Sequence, residues 1–298
     1  MGSGDSLRRI ALYLTMLVLA LAMGASGHET YIRPISGWAS PGDVVYLPLG
    51  SGHATANTEL PEGMVNVTVI GPAEEAVLDG MGEISGFWDI YSFVPEEAGL
   101  YVVDVYHSEG SWTNIVTNPP NGSFWEHAYA YDIDFDSLNK TGWADDWYVE
   151  RSYPKNCYAK AFVAVGEEAD LSKANEAVGQ ELEIVPLDDI STVGEGDFAF
   201  QLLFQGEPIS GIDVWAMKVG DDTPVESVTD AEGKFTLHLT DEASELTEWI
   251  VRADTKMDPR IVEEVDLPRG PLSAEKSYVG PVFRAALTLR SDYISTGY

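Results

Sequence analysis

The sequence predicts an all-β protein made of two β-sandwich domains in tandem, of immunoglobulin-like and transthyretin-like type. Three observations carry that expectation. Beyond Trp38 the apolar runs are short, rich in Val, Ile, Tyr and Trp, and broken by Gly, Pro, Asp and Asn, which is the pattern of antiparallel strands joined by turns. Where the runs are longest they alternate, so that Tyr101, Val103, Val105 and His107 share one face. The chain has 298 residues, 45% of them hydrophobic and 11% aromatic, enough to bury one or two cores.

In chain order, Arg8 and Arg9 precede an apolar run from Ile10 to Met23, followed by Gly24-Ala25-Ser26-Gly27. This is the three-part layout of a secretory signal peptide. The run is shorter than the roughly 20 residues that span a bilayer as a helix. Residues 1–27 are therefore read as a leader, and the protein as exported, to a periplasm or to the cell exterior. With Ala25 and Gly27 at the minus-three and minus-one positions, cleavage leaves His28 as the first residue.

The first domain, 28–165, takes its strands from Val44 to Leu49, Met64 to Ile70, Phe87 to Val94 and Leu100 to His107, with Ala159 to Val165 closing it. Between them, 119–158 is aromatic and irregular and reads as an insertion packed against the sandwich. Residues 166–180 are polar and read as a linker or a short helix. The second domain, 181–256, has strands at Leu182 to Leu187, Asp197 to Phe204, Ile212 to Lys218, Glu226 to Thr229, Lys234 to Leu239 and Trp249 to Ala253. Gly206-Glu207-Pro208 and Asp230-Ala231-Glu232-Gly233 supply turns between them. Residues 257–298 form an extension in which Phe283 to Leu289 reads as one returning strand.

Charge excludes some functions. With 49 acidic against 17 basic side chains the net charge is -32, which repels nucleic acid and anionic lipid and attracts cations without choosing among them. Cys157 is the single cysteine, so neither an intrachain disulfide nor a thiolate cluster can form. There is no HExxH, Gly-x-Ser-x-Gly or Walker loop, and the carboxylates are too many for one pair to mark a catalytic site. The chain is expected not to be an enzyme. Asp132, Asp134 and Asp136 alternate but lack the glycine and distal glutamate of a calcium loop. Asn66-Val67-Thr68, Asn121-Gly122-Ser123 and Asn139-Lys140-Thr141 each fit the N-glycosylation pattern.

The histidines carry the remaining chemistry. A terminal His28 offers an amine and an imidazole to one metal, a chelate no internal histidine can copy. His53 lies in the loop Gly50-Ser51-Gly52-His53. His107 ends a strand on its apolar face, as either a partly buried strand-end residue or a third ligand, and His127 in Trp125-Glu126-His127 is equally open. His238 alternates with Phe235, Leu237 and Leu239 and reads as an outward-facing residue of the second domain, outside the set.

Leu203 to Val214, with its Gly206 and Gly211 turns, and Thr229-Asp230-Ala231-Glu232-Gly233-Lys234-Phe235 resemble the transthyretin-like or carboxypeptidase-regulatory sandwich. The start His28-Glu29-Thr30-Tyr31-Ile32-Arg33-Pro34, the Pro41-Gly42-Asp43 turn and Gly52-His53 resemble the opening of the DUF4198-type family of exported proteins. The likeness continues through Ala98-Gly99-Leu100-Tyr101, Glu150-Arg151-Ser152-Tyr153, Val178-Gly179-Gln180-Glu181-Leu182 and Trp249 to Ala253, and so covers most of the chain after the leader. That resemblance implies a periplasmic component associated with nickel or cobalt uptake transporters. Where the family carries a histidine after the Trp249 strand, this chain has Asp254, a carboxylate that also suits a borderline metal. The family's middle segment lacks the aromatic insertion.

The expected ligand set is therefore His28, His53, His107, His127 and Asp254. The expected cargo is nickel(II), with cobalt(II) or copper(II) as alternatives, and the expected partner is a membrane metal-uptake transporter. Two other readings stand beside it: a structural or adhesive envelope protein using the aromatic segment as its contact surface, and a copper enzyme with a histidine brace.

Overall fold

The computed structural model describes residues 29–52, 61–73, 75–78, 89–117, 122–141, 147–167, 169–221, 223–240, 246–256 and 277–294. Among these there is no α-helix, and the secondary structure is strand with three short 3-10 turns. Residues 1–27, read above as a leader, lie outside the described residues.

The strands fall into three sheets. The first has three strands: β1 (Glu29–Ile32) pairs with β3 (Val45–Gly52), which pairs with β6 (Asp89–Phe93). A long central sheet of 11 strands draws on the whole chain. From the amino-terminal half come β2 (Trp38–Ala39), β4 (Met64–Ile70), β5 (Glu75–Leu78), β7 (Gly99–Thr117), β8 (Gly122–Glu126) and β9 (Tyr148–Val165). From the carboxy-terminal half come β13 (Asp213–Lys218), β14 (Val225–Val228), β16 (Glu248–Lys256), β17 (Tyr278–Val279) and β18 (Val282–Arg290). A third sheet of 4 strands contains β10 (Leu182–Pro186), β11 (Glu195–Phe204), β12 (Glu207–Pro208) and β15 (Lys234–Thr240).

The order of the central sheet, β14-β13-β16-β18-β9-β7-β4-β5, explains how the two sandwiches are joined. β18 inserts between β16 of the second half and β9 of the first, antiparallel to one and parallel to the other. The returning strand read at Phe283 to Leu289 thus lies at the centre of the molecule, and every residue of β18 is buried. Alternation along β7 sorts the two cores. Tyr101, Val103 and Val105 face the first sheet with Leu47, Leu49 and Tyr91, while Leu100 and Val102 face the third with Phe162, Ile184 and Phe200. Such runs buried on both faces are expected where other layers cover both sides of a sheet. Each sandwich keeps its own outer sheet, and both share the middle one.

The segment 166–180 is tied down rather than free. Ala174 is buried in the second core. Glu183 of β10 accepts hydrogen bonds from the backbone N–H groups of Val178 (2.8 Å), Gly179 (2.9 Å) and Gln180 (3.2 Å), and from Lys160 Nζ of β9 at 2.6 Å. Lys160 and Glu183 are each 1% exposed. The Thr229 to Phe235 turn forms as read: Asp230 Oδ1 accepts from the N–H groups of Glu232 and Lys234, and Phe235 stacks on Phe200. Gly233 has φ +70°, and a Cβ there would meet the Leu202 carbonyl oxygen at 2.8 Å, so glycine is required.

The aromatic insertion grows from the extended ends of β7 and β9. Beyond a bulge between Ser108 and Ser111, these ends carry β8 as a third strand. One face of this ribbon is covered by residues 128–138, which form a third small core of Ile115, Ala130, Ile133, Phe135 and Val149.

Candidate metal site

The amino-terminal strand is held by polar side chains. β1 is wholly buried, and three residues of β1 and the turn after it reach the central sheet. Glu29 pairs with Arg252 of β16, both almost fully buried. Thr30 meets His107 of β7, Oγ1 to Nδ1, at 2.5 Å. Arg33 holds Glu248 with two bonds, 2.7 and 2.9 Å. Arg290 of β18 adds to this end, donating to the Pro34 carbonyl (3.0 Å) and to Asp292 (2.8 Å). Paired buried charges of this kind fix an alignment more than they add stability.

His107 is 0% exposed and both ring nitrogens are used. Nε2 lies 2.5 Å from the Glu62 carbonyl oxygen, which can only accept, so Nε2 carries a proton. In the neutral ring Nδ1 then accepts from the Thr30 hydroxyl. Burial holds the His107 pKa below the usual histidine value, against the pull of the Glu62 carbonyl and the Glu109 carboxylate, and so favours this neutral form. The contact depends on Gly63 at φ +102°, where a Cβ would stand 2.2 Å from the Ser108 carbonyl oxygen.

Beside His107, across the β7–β9 ladder, is Cys157, and two residues on along β7 is Glu109. Ligand atoms of these three lie within 4.8 Å of one another. Lys155 occupies the position a cation would take: its Nζ donates to both Glu109 oxygens at 2.5 Å. The Cys157 thiol points at the same carboxylate, 3.5 Å away, and burial, then the Glu109 charge, pushes it up to about 12. For these three to bind a metal, Lys155 must leave, Cys157 must ionise and His107 must give up a hydrogen bond. As built, the cluster is closed by its own ammonium.

The expected ligands are distributed as follows. His28 and His53 lie outside the described residues, each immediately beyond Glu29↔Gly52, the last described pair of the β1/β3 ladder. His107 is buried as described. His127 is exposed at the end of β8 and packs on the Trp112 ring, centroids 4.0 Å apart, next to Trp125. Asp254 is paired with Arg284 Nε at 2.8 Å, although burial still raises its pKa. Among the described residues, the structure brings neither His127 nor Asp254 into the His107 group. Sequence reading missed Glu109, Cys157, Lys155 and Thr30. Glu109 continues the odd-numbered face of β7, whereas the β9 and β1 partners depend on a register that alternation cannot supply.

A family model for a domain of unknown function, DUF4198, matches residues 25–255, and the chain belongs to that family. No curated protein matches. Solved structures with some likeness include the D0-D1 domain of intimin, at 10% identity and TM-score 0.22, covering 88% of this chain and 97% of that one. Another is a DUF4785 family protein from Legionella pneumophila subsp. pneumophila str. Philadelphia 1, at 7% identity and TM-score 0.25, covering 74% and 52%. A third is a two fibronectin type-III domain segment from chicken tenascin, at 9% and 0.19, covering 75% and 87%. At these TM-scores the likenesses carry no functional argument. Among the described residues no helix is long and apolar enough to cross a membrane.

Proposed function

We propose that this is an exported, non-enzymatic metal-binding protein that captures nickel(II), or the similar cobalt(II), and passes it to a membrane uptake transporter. The observation that supports the reading is the end of the β1/β3 ladder. Glu29 and Gly52 are partnered there, and His28 and His53 are the next residues in sequence beyond that pair. Imidazoles carried one residue past a laddered pair can be brought to one ion.

Three nitrogens then come from two residues: the new α-amine and the imidazole of His28, and the imidazole of His53. Nitrogen ligands of this kind suit nickel and copper in tetragonal geometry. The anchors of β1, Glu29 on Arg252 and Thr30 on His107, fix the strand that leads into His28 and reduce the ordering cost of closing the chelate. The surrounding negative charge concentrates divalent ions near the site, and selection is left to the nitrogens.

Calorimetric titration of the processed chain with nickel(II) tests the reading, after mass measurement of its first residue. His28→Ala and His53→Ala should each weaken binding at least tenfold, while His238→Ala on the outer face should not. Binding should release protons and weaken below neutral pH, because an amine and imidazoles must lose their protons to bind a metal. Nickel affinity unchanged by both histidine variants overturns the proposal.

A further inference from the structure

Three positions fit the N-glycosylation pattern, and the structure treats them differently. Asn66 lies inside β4, whose backbone is laddered on both sides, to Val105 and its neighbours in β7 and to Leu78 and its neighbours in β5. Thr68, the third residue of that pattern, is 8% exposed. An enzyme that must draw the segment into its own cleft would have to strip a strand from the central sheet. Asn121 lies outside the described residues.

Asn139 is different. It stands in the connection between the small third core and β9, outside any ladder. The side chains alternate: Leu138 packs on the Phe135 core, Lys140 lies over the Trp147 ring at 5.2 Å, and Asn139 and Thr141 between and beyond them are exposed. The Asn139 carboxamide oxygen accepts from Thr141 N–H (3.1 Å) and from the Thr141 hydroxyl (2.7 Å), which turns the amide nitrogen outward. Among the described residues that nitrogen makes no hydrogen bond. Both residues a glycosyl-transferring enzyme reads are thus on the surface, while the residues flanking Asn139 hold the loop to the protein.

We propose that Asn139 is a glycan attachment site, with a polyisoprenyl-phosphate- or diphosphate-linked oligosaccharide as the donor substrate. Asn139 Nδ2 bonds to C1 of the reducing sugar and the bond from C1 to the phosphate oxygen breaks. The lipid phosphate leaves with the electron pair and one amide proton passes to a base of the transferase. The reaction takes place outside the cytoplasm, so the proposal rests on export.

The test is mass analysis of the protein recovered from its source cells. The first residue is read first, and a chain still carrying residues 1–27 overturns the cleavage at His28 on which the metal-binding reading rests, separately from the glycan. In the processed chain the peptide containing Asn139 should be heavier than its sequence by an oligosaccharide, and the excess should vanish in Asn139→Gln and in Thr141→Val. It should persist in Thr141→Ser, which keeps the hydroxyl, and in Asn66→Gln. A processed chain whose Asn139 peptide has its unmodified mass overturns the proposal, as does an excess that survives Asn139→Gln.

Discussion

The Lys160–Glu183 pair is an asymmetric bond, and the asymmetry can be measured. Both side chains are 1% exposed, but Glu183 has four donors, three of them backbone N–H groups of 178–180, while Lys160 Nζ donates to Glu183 and otherwise lies over the Phe162 ring at 6.0 Å. In Lys160→Met the carboxylate keeps its three N–H donors, each worth about 1.5 to 3 kcal/mol to a charged acceptor, and methionine fills the vacated volume. The expected cost is about 1 to 2 kcal/mol. In Glu183→Ala a buried ammonium and three N–H groups lose their acceptor together, and breaking a buried pair in this way costs about 3 to 5 kcal/mol. Burial already pulls the Lys160 pKa below the usual lysine value, with Glu183 opposing, so losing Glu183 deepens the strain. At about 2 to 4 °C per kcal/mol for a chain of this class, Glu183→Ala should melt roughly 10 °C below wild type and Lys160→Met only a few degrees below. Urea unfolding followed by tryptophan fluorescence reads the same ranking as shifts in midpoint at constant slope. If Lys160→Met costs as much as Glu183→Ala, the backbone donors contribute nothing and the reasoning fails.

Because β18 sits between β16 and β9, the two sandwiches should unfold together: calorimetry should give one transition with matching calorimetric and van't Hoff enthalpies, and two separable transitions would contradict the shared sheet. Phe200→Ala, in the Phe198–Phe200–Phe235 aromatic group of the second core, should cost about 3 to 5 kcal/mol by urea unfolding and lower the single transition as a whole. His107 is held neutral with its pKa lowered, so the unfolded chain binds more protons below about pH 6.5 and stability falls as pH falls through that range, by up to about 1.4 kcal/mol per unit. Asp104 and Asp254, whose pKa values are raised, act with the opposite sign, so the effect is read as the difference between wild type and His107→Gln; no difference between pH 7.5 and 5.5 would reject the neutral assignment. Cys157, buried with its thiol pushed up to about 12, should react with an aromatic disulfide only after urea unfolding, and rapid labelling of the native protein at pH 8 would show that the Lys155–Glu109 cluster opens.

How far the fold was legible follows from which interactions are local. Strand positions are readable because alternation and turn chemistry are written within about ten residues, and Phe283 to Leu289 reads as a strand for the same reason. Its position beside β9 was not readable, since pairing partners more than a hundred residues apart leave no periodicity in either segment. The apolar residues on both faces of β18, interrupted by Arg284, Thr288 and Arg290, hint only that both sides are covered. The same limit governs the site. His107 on the odd face of β7 was visible, whereas its contact with Thr30, 77 residues away, comes from where β1 is laid across the sheet.

That placement decides what the buried cluster can do. A histidine, a carboxylate and a thiol within 4.8 Å form a metal site by composition, yet an ammonium on the carboxylate and two occupied imidazole nitrogens make it a closed polar core. Replacing the ammonium should open it. In Lys155→Met the Glu109 charge loses its partner, the thiol gains a reason to ionise onto a metal, and cobalt(II) should bind with the intense near-ultraviolet absorption of a thiolate complex. Wild type should show no such band, and Lys155→Met/Cys157→Ser should lose it. A cobalt–thiolate band in the wild type would mean that Lys155 yields to metal unaided, and the cluster would then belong to the metal-binding machinery rather than to the support beneath β1.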